Sequence, residues 1–160
     1  MELQQNFDSI YQVHYPKVFR LCKGYFQGDN DIAADTTQEV FIKVWENLPK
    51  FRNEANIGTW IYKIAANTCL MYLRKKNQIN SISVSAIIDK DEANEEAEDK
   101  FKKMYDCINQ LSSSNKLIIM MVLEDIEYER IAEIIGIAEE TLRVRIHRIK
   151  DKLSKCVHNG

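Results

Sequence analysis

Glycine and proline are scarce, five and two residues among 160. So few chain breakers argue against turn-rich all-β architectures and against low-complexity linkers. Nowhere does the chain approach the roughly 20 consecutive apolar residues of a membrane span. Its start, Met1-Glu2-Leu3-Gln4-Gln5-Asn6, lacks a basic segment followed by an apolar run, so a cytoplasmic protein is expected. Cys22, Cys69, Cys107 and Cys156 stand far apart with no C-x-x-C pair. That spacing suggests neither a zinc site nor a disulfide framework, and the four are read as reduced core or surface thiols. His14, His147 and His158 are the only histidines, with no metal-ligand spacing and no Gly-rich phosphate loop. No metal, cofactor or catalytic residue is expected, and an enzyme of helical fold is the remote alternative. A net positive charge is missing too: 22 Lys and Arg face 24 Asp and Glu. Any affinity for nucleic acid must therefore come from where the cations lie.

What is present is helical periodicity. Apolar residues recur at helical spacing from Phe7 to Phe26 (Ile10, Val13, Val18, Leu21), with Pro16 predicting a kink or a break. Gly28-Asp29-Asn30-Asp31 reads as a turn into a second helix. There Val40, Phe41, Val44, Trp45 and Leu48 form an apolar stripe between Asp35 and Leu48, ended by Pro49. After a polar loop, a third periodic segment runs from Trp60 to about Lys76 with Ile61, Ile64, Ala65, Thr68 and Tyr72 as its buried stripe. Asp89 to Asp99 then contains seven acids and one lysine, which reads as a flexible acidic linker becoming an exposed helical start. The expected fold is all-α, with two small helical domains over 1–78 and 101–157 joined by the acidic linker 79–100.

Residues 128–156 read as a helix-turn-helix. Ala132 permits close helix approach and Gly136 supplies a positive φ at the turn, while Ile131, Ile135, Ile137 and Leu142 fill the angle between the helices. In the second helix Leu142, Ile146, Ile149, Leu153 and Cys156 share one face. Thr141 to Lys155 holds six bases and one acid, a strong local excess in a chain of net charge −2. Thr141, Arg143, Val144, His147 and Arg148 are the candidates for reading bases, while Arg145, Lys150, Lys152 and Lys155 are better placed for phosphates.

A second surface emerges on the third helix. Trp60, Lys63, Asn67 and Arg74 fall within about 60° of one another on the helical wheel, away from the buried stripe. An indole to stack on a base, an amide for a base edge and cations for the backbone suit unpaired DNA.

The chain resembles the extracytoplasmic-function sigma factors of the sigma-70 superfamily. The resemblance lies in Tyr15 to Arg20, in Asp35-Thr36-Thr37-Gln38-Glu39-Val40-Phe41-Ile42-Lys43-Val44-Trp45, in Phe51-Arg52 and in Thr59 to Asn67, which look like region 2; Ser112 to Leu153 looks like region 4. It implies that the first domain grips the β′ clamp helices of core RNA polymerase, with Asp35, Gln38 and Glu39 facing the polymerase, and opens promoter DNA at the minus 10 element. The loop Asn53 to Gly58, with Asn53 and Asn56, corresponds to the family's specificity loop. The second domain would read the minus 35 element beside the β flap, and an anti-sigma factor is a further partner the family suggests. Departures exist. Leu111 is followed by serines rather than proline, so Ser112 is expected to cap the helix; Asp125 is expected to cap the next one; Val144, His147 and Ile149 replace smaller residues, which leaves the promoter sequence open. The competing reading is a helix-turn-helix regulator that acts without the polymerase, yet only one such motif is visible.

Overall fold

The computed structural model describes the backbone of residues 2–52, 56–79 and 95–159 and the side chains within 6–52, 56–72 and 102–159. Seven α-helices and no strand are found among the described residues: α1 (Glu2–Tyr25), α2 (Asn30–Asn47), α3 (Ile57–Ile79), α4 (Glu95–Asn109), α5 (Ser113–Leu123), α6 (Tyr128–Ile135) and α7 (Glu139–Asn159).

In α1 the residues Val18, Leu21, Cys22 and Tyr25 are buried, the i, i+3, i+4, i+7 signature of one packed face. Val13, expected in that stripe, is exposed at 56%. Pro16 lies inside the helix without ending it, so the expected break does not occur. A proline costs the ladder one donor, and here rings just before it hold the segment: Tyr11 and Tyr15 lie 5.0 and 5.8 Å from Phe41 of α2.

α2 starts five residues ahead of Asp35, because Asp29 accepts a hydrogen bond from the Ile32 amide at 3.1 Å and Gly28 takes φ +84°. A side-chain cap followed by helical spacing is sufficient to start a helix. Val40, Phe41 and Val44 are buried as expected, whereas Trp45 is 47% exposed and packs edge-on against Phe7 at 5.1 Å. α3 begins three residues before Trp60, where Asn56 accepts from the Gly58 amide at 2.8 Å. Its buried face includes Ile61, Ala65 and Thr68, and also Tyr62, Ala66 and Cys69.

Ser112 caps α5 by accepting from the Asn115 amide at 3.3 Å. Asp125 does not cap α6. It sits at φ +59° in the bend after α5, and the N-cap position belongs to Glu127 without a side-chain bond. Gly136 closes α6 at φ +84°, with the amides of Gly136 and Ile137 both donating to the Ala132 carbonyl at 2.8 and 3.1 Å. This is the left-handed helix end that glycine favours. Leu117, Ile118, Ile131 and Leu142 are completely buried beneath the motif, each contributing roughly 1.5–3 kcal/mol.

The reading of all four cysteines as reduced thiols is corrected for two of them. Cys107 near the end of α4 and Cys156 near the end of α7 form a disulfide with Cα atoms 6.0 Å apart. Sequence spacing hides the pair, since they stand 49 positions apart and only the packing of α4 on α7 brings them within bonding reach. Cys22 and Cys69 remain free and buried, with sulfurs 3.8 Å apart. The shared contact with Cys22, and then burial, pushes the Cys69 thiol well up.

The helices fall into a group of α1, α2 and α3 and a group of α4 to α7, and the two groups meet directly. Arg20 Nε donates to Glu124 Oε2 at 3.1 Å, and Arg130 Nε donates to Thr59 Oγ1 at 3.0 Å. The Met120 side chain fills the notch at Gly24, where a Cβ would collide with it, and the Lys116 ammonium lies 5.0 Å from the Tyr25 ring centre. This junction explains why Tyr62 and Ala66 are buried beyond the stripe read from the sequence.

Candidate nucleic-acid interface

Helix α7 divides cleanly into two sides. Leu142, Ile146, Ile149 and Leu153 are buried, while Thr141, Arg143, Val144, His147, Arg148, Lys150, Lys152 and Lys155 are exposed, and Val144 is 50% exposed. An exposed apolar residue amid cations is costly in water and suits a thymine methyl. The expected base-reading residues therefore share one solvent-facing side.

The cations differ in their freedom. Arg143 is paired with Glu139 at 2.8 Å and stands 5.2 Å from the Tyr128 ring centre. Lys150 donates to the Tyr128 hydroxyl at 3.3 Å, and Lys155 pairs with Asp151 at 3.1 Å. Arg145 departs most from expectation. It is partly buried and donates to Ser114 Oγ at 3.1 Å and to Asn115 Oδ1 at 2.7 Å on α5, so it braces α7 against α5. Among the described residues Arg148 and Lys152 have no carboxylate within 4.0 Å. With Leu111, Asn115, Arg145 and Ile149 they line a groove of about 280 Å³ between α5 and α7.

On α3, Trp60, Lys63 and Asn67 share one side. Lys63 and Asn67 are exposed, and Trp60 is half-buried against Phe51, ring centres 4.9 Å apart. The indole is thus seated but not enclosed. Asn56 is exposed with its carbonyl oxygen committed to the Gly58 amide, which makes it the helix cap. Asn53 lies outside the described residues, as does the side chain of Arg74.

Asp35, Gln38 and Glu39 are all exposed along α2, with Glu39 3.6 Å from Lys43. Because α2 starts at Asn30, these acids lie beyond its first turn, and the helix dipole does not account for them. Ile42 and Trp45, 56% and 47% exposed, extend the same side. The sequence reading missed them, since an apolar residue at helical spacing looks like core; their offset from Val40 and Val44 was the available signal.

At the junction His14 is half-buried, and burial, then Lys17 and Arg130, hold its imidazolium below the ordinary value. Burial and then the Glu124 carboxylate push the Tyr62 hydroxyl up. Burial pushes Tyr25 up to about 12.

These surfaces define an all-helical DNA-binding protein with a basic helix-turn-helix and a separate aromatic and cationic helix face. The family model for Sigma-70 region 2 matches residues 10–79, and that for Sigma-70, region 4 matches residues 101–153. The RNA polymerase sigma factor SigV of Bacillus subtilis is 30% identical over 84% of this chain and 81% of its own length. An ECF RNA polymerase sigma-E factor of Haemophilus influenzae is 31% identical over 80% and 75%. The structure also resembles the sigma factor RpoE of Bartonella quintana, solved in complex with the anti-sigma factor NepR, with a TM-score of 0.76 at 19% identity over 96% and 98% of the two chains. The chain belongs to the extracytoplasmic-function group of the sigma-70 family. It is accordingly a sigma factor that directs transcription initiation. No described helix is long and apolar enough to cross a membrane.

Proposed function

We propose that α7 reads the minus 35 element of promoter DNA and that the Trp60 side of α3 engages the unpaired minus 10 element while α2 is held by core RNA polymerase. Asp35, Gln38 and Glu39, extended by Ile42 and Trp45, form the face for the β′ clamp helices, and the helices around α7 lie beside the β flap. The site of action is the cytoplasm, and an anti-sigma factor is a regulatory partner. No catalytic step is assigned to the chain. One observation carries this reading: α7 buries Leu142, Ile146, Ile149 and Leu153 while presenting Val144, His147 and Arg148 among cations on the opposite side.

Within α7 the base readers are Thr141, Val144, His147 and Arg148, with Arg143 released from Glu139 on binding. Lys150, Lys152 and Lys155 meet phosphates, and Arg145 acts through α5. On α3 the roles fall to Trp60, Lys63, Asn67 and Arg74, with Asn53 and Asn56 in the preceding loop. Stacking of roughly 1–3 kcal/mol per base matches the few kcal/mol needed to unstack one, so strand opening requires the polymerase to supply the rest.

Run-off transcription with core RNA polymerase and a promoter library tests the assignment. Promoter-dependent transcripts are expected, and Arg148→Ala should lower minus 35 affinity by roughly 1–3 kcal/mol. Unaltered transcription by that variant, or no association with core polymerase, would refute the reading. Lys155 is already paired with Asp151, so Lys155→Ala should flatten the salt dependence by less than one full phosphate contact.

A further inference from the structure

The Cys107–Cys156 bond closes a loop of 49 residues that contains α5, α6 and nearly all of α7. It therefore encloses the entire helix-turn-helix. Cross-linking such a loop removes unfolded-state entropy that grows with loop length. A promoter-binding chain works where thiol pools are reducing, and disulfides there are typically transient, catalytic or redox-sensing rather than permanent. The two sulfurs are unequal. Cys107 is 5% exposed, whereas Cys156 is half-buried on the penultimate turn of α7.

We propose that Cys107 and Cys156 form a reversible redox-modification site, served by a low-molecular-weight thiol and its disulfide, whose oxidised state staples α7 to α4. In the reducing direction a small thiolate attacks Sγ of Cys156, the more accessible sulfur. The protein S–S bond breaks, and Cys107 leaves as a thiolate that takes up a proton. A second small thiolate then attacks the outer, small-molecule sulfur of that mixed disulfide; the small-molecule disulfide forms, and Cys156 leaves as a thiolate that takes up a proton. The protein gains two electrons and two protons, and two small thiols are oxidised to one disulfide. Running backward, the same exchange with the small disulfide as oxidant restores the bond. Cys22 and Cys69, buried within the other helical group, take no part.

The effect falls on the minus 35 surface. Stapled, the last turns of α7 are covalently fixed to α4; reduced, they are held by non-covalent packing. The influence on promoter binding rests on the function proposed above, whereas the exchange itself does not.

The full chain is equilibrated in glutathione buffers of varying redox ratio, acid-quenched, denatured, alkylated and weighed. Two modified cysteines are expected under oxidised glutathione and all four under millimolar reduced glutathione. The oxidised protein should melt roughly 10 °C higher than the reduced one and bind a minus 35 duplex several-fold more tightly near the reduced protein's melting temperature. Cys107→Ser with Cys156→Ser should melt like the reduced protein and ignore the buffer; comparison of the two wild-type states needs no variant. A thiol count that never changes, or identical melting of the two states, would overturn the proposal. Core polymerase binding is scored separately: its absence in both states refutes the assigned function while thiol count and melting still decide the redox site.

Discussion

His14 shows how one side chain reports on the junction between the helical groups. It lies near Gly58, whose added Cβ would sit 3.4 Å from the imidazole; protonating it places a charge in a half-buried site and, beside Lys17 and Arg130, adds a cation among cations. The folded pKa lies below the unfolded value of about 6.5. As pH falls through 6.5 the unfolded chain takes up the proton first, so stability is intact above that value and declines toward the lower folded pKa. The melting temperature should therefore drop between pH 7 and pH 5, and His14→Gln should remove part of that slope. An unchanged slope in the variant would show that other groups carry it. Gly136 makes a second residue-scale case. At φ +84° the backbone lies where a Cβ costs about 1–2 kcal/mol, although no atom lies within 4 Å of the space it would occupy. Gly136→Ala should thus lower the midpoint of denaturant unfolding through backbone strain alone. That position was legible in the sequence because a small residue, a four-residue step and a glycine specify the turn together.

Among the elements, α7 was the most legible, since a run of cations interrupted every third or fourth residue by Leu or Ile leaves one way to bury it. Arg145 was not legible. Its place on the wheel suits a phosphate contact, and only the packing of α5 across α7 reveals Ser114 and Asn115 as its partners. The two roles separate by experiment. Hydrogen bonds from a guanidinium are worth about 1.5–3 kcal/mol, and a lysine at that position keeps the charge but not the planar fork. As a brace, Arg145→Lys should destabilise the protein without DNA present and weaken minus 35 binding as a consequence. A residue that only touched phosphate would leave DNA-free unfolding unchanged. Trp45 failed in the other direction, because helical spacing alone cannot say whether an apolar side chain at the border of a stripe meets core or solvent. Pro16 misled for a related reason: the ring packing that carries α1 past it joins residues on two helices and has no local signature.

For the molecule as a whole, the helix content followed from periodicity, whereas the contact between the helical groups depends on pairs such as Arg130 with Thr59 and Arg20 with Glu124, far apart in sequence. That contact limits what the closed form can do. A compact chain of this length spans about 40 Å. Elements centred at minus 35 and minus 10 lie some 25 base pairs apart, roughly 85 Å at 3.4 Å per base pair. On the function proposed above, the closed arrangement is too short to hold both elements of one duplex at once, and the groups would have to separate on the promoter. Residues 80–94, at up to about 3.5 Å each, have covalent reach for about 50 Å of separation. The latch is small. The partly buried Arg130 bond, donated by a guanidinium, is worth about 1.5–3 kcal/mol, and the Arg20 pair, with its guanidinium 55% exposed, adds at most about 1 kcal/mol. Replacing both arginines by alanine should move the closed-to-open equilibrium by roughly 10- to 1,000-fold. Small-angle scattering of the free protein should then report a larger radius of gyration in the double variant, with the helical circular dichroism signal retained. An identical radius would mean that Met120 in the Gly24 notch and Lys116 over Tyr25 hold the closed form without the two arginines, and Met120→Ala would then be the change that opens it.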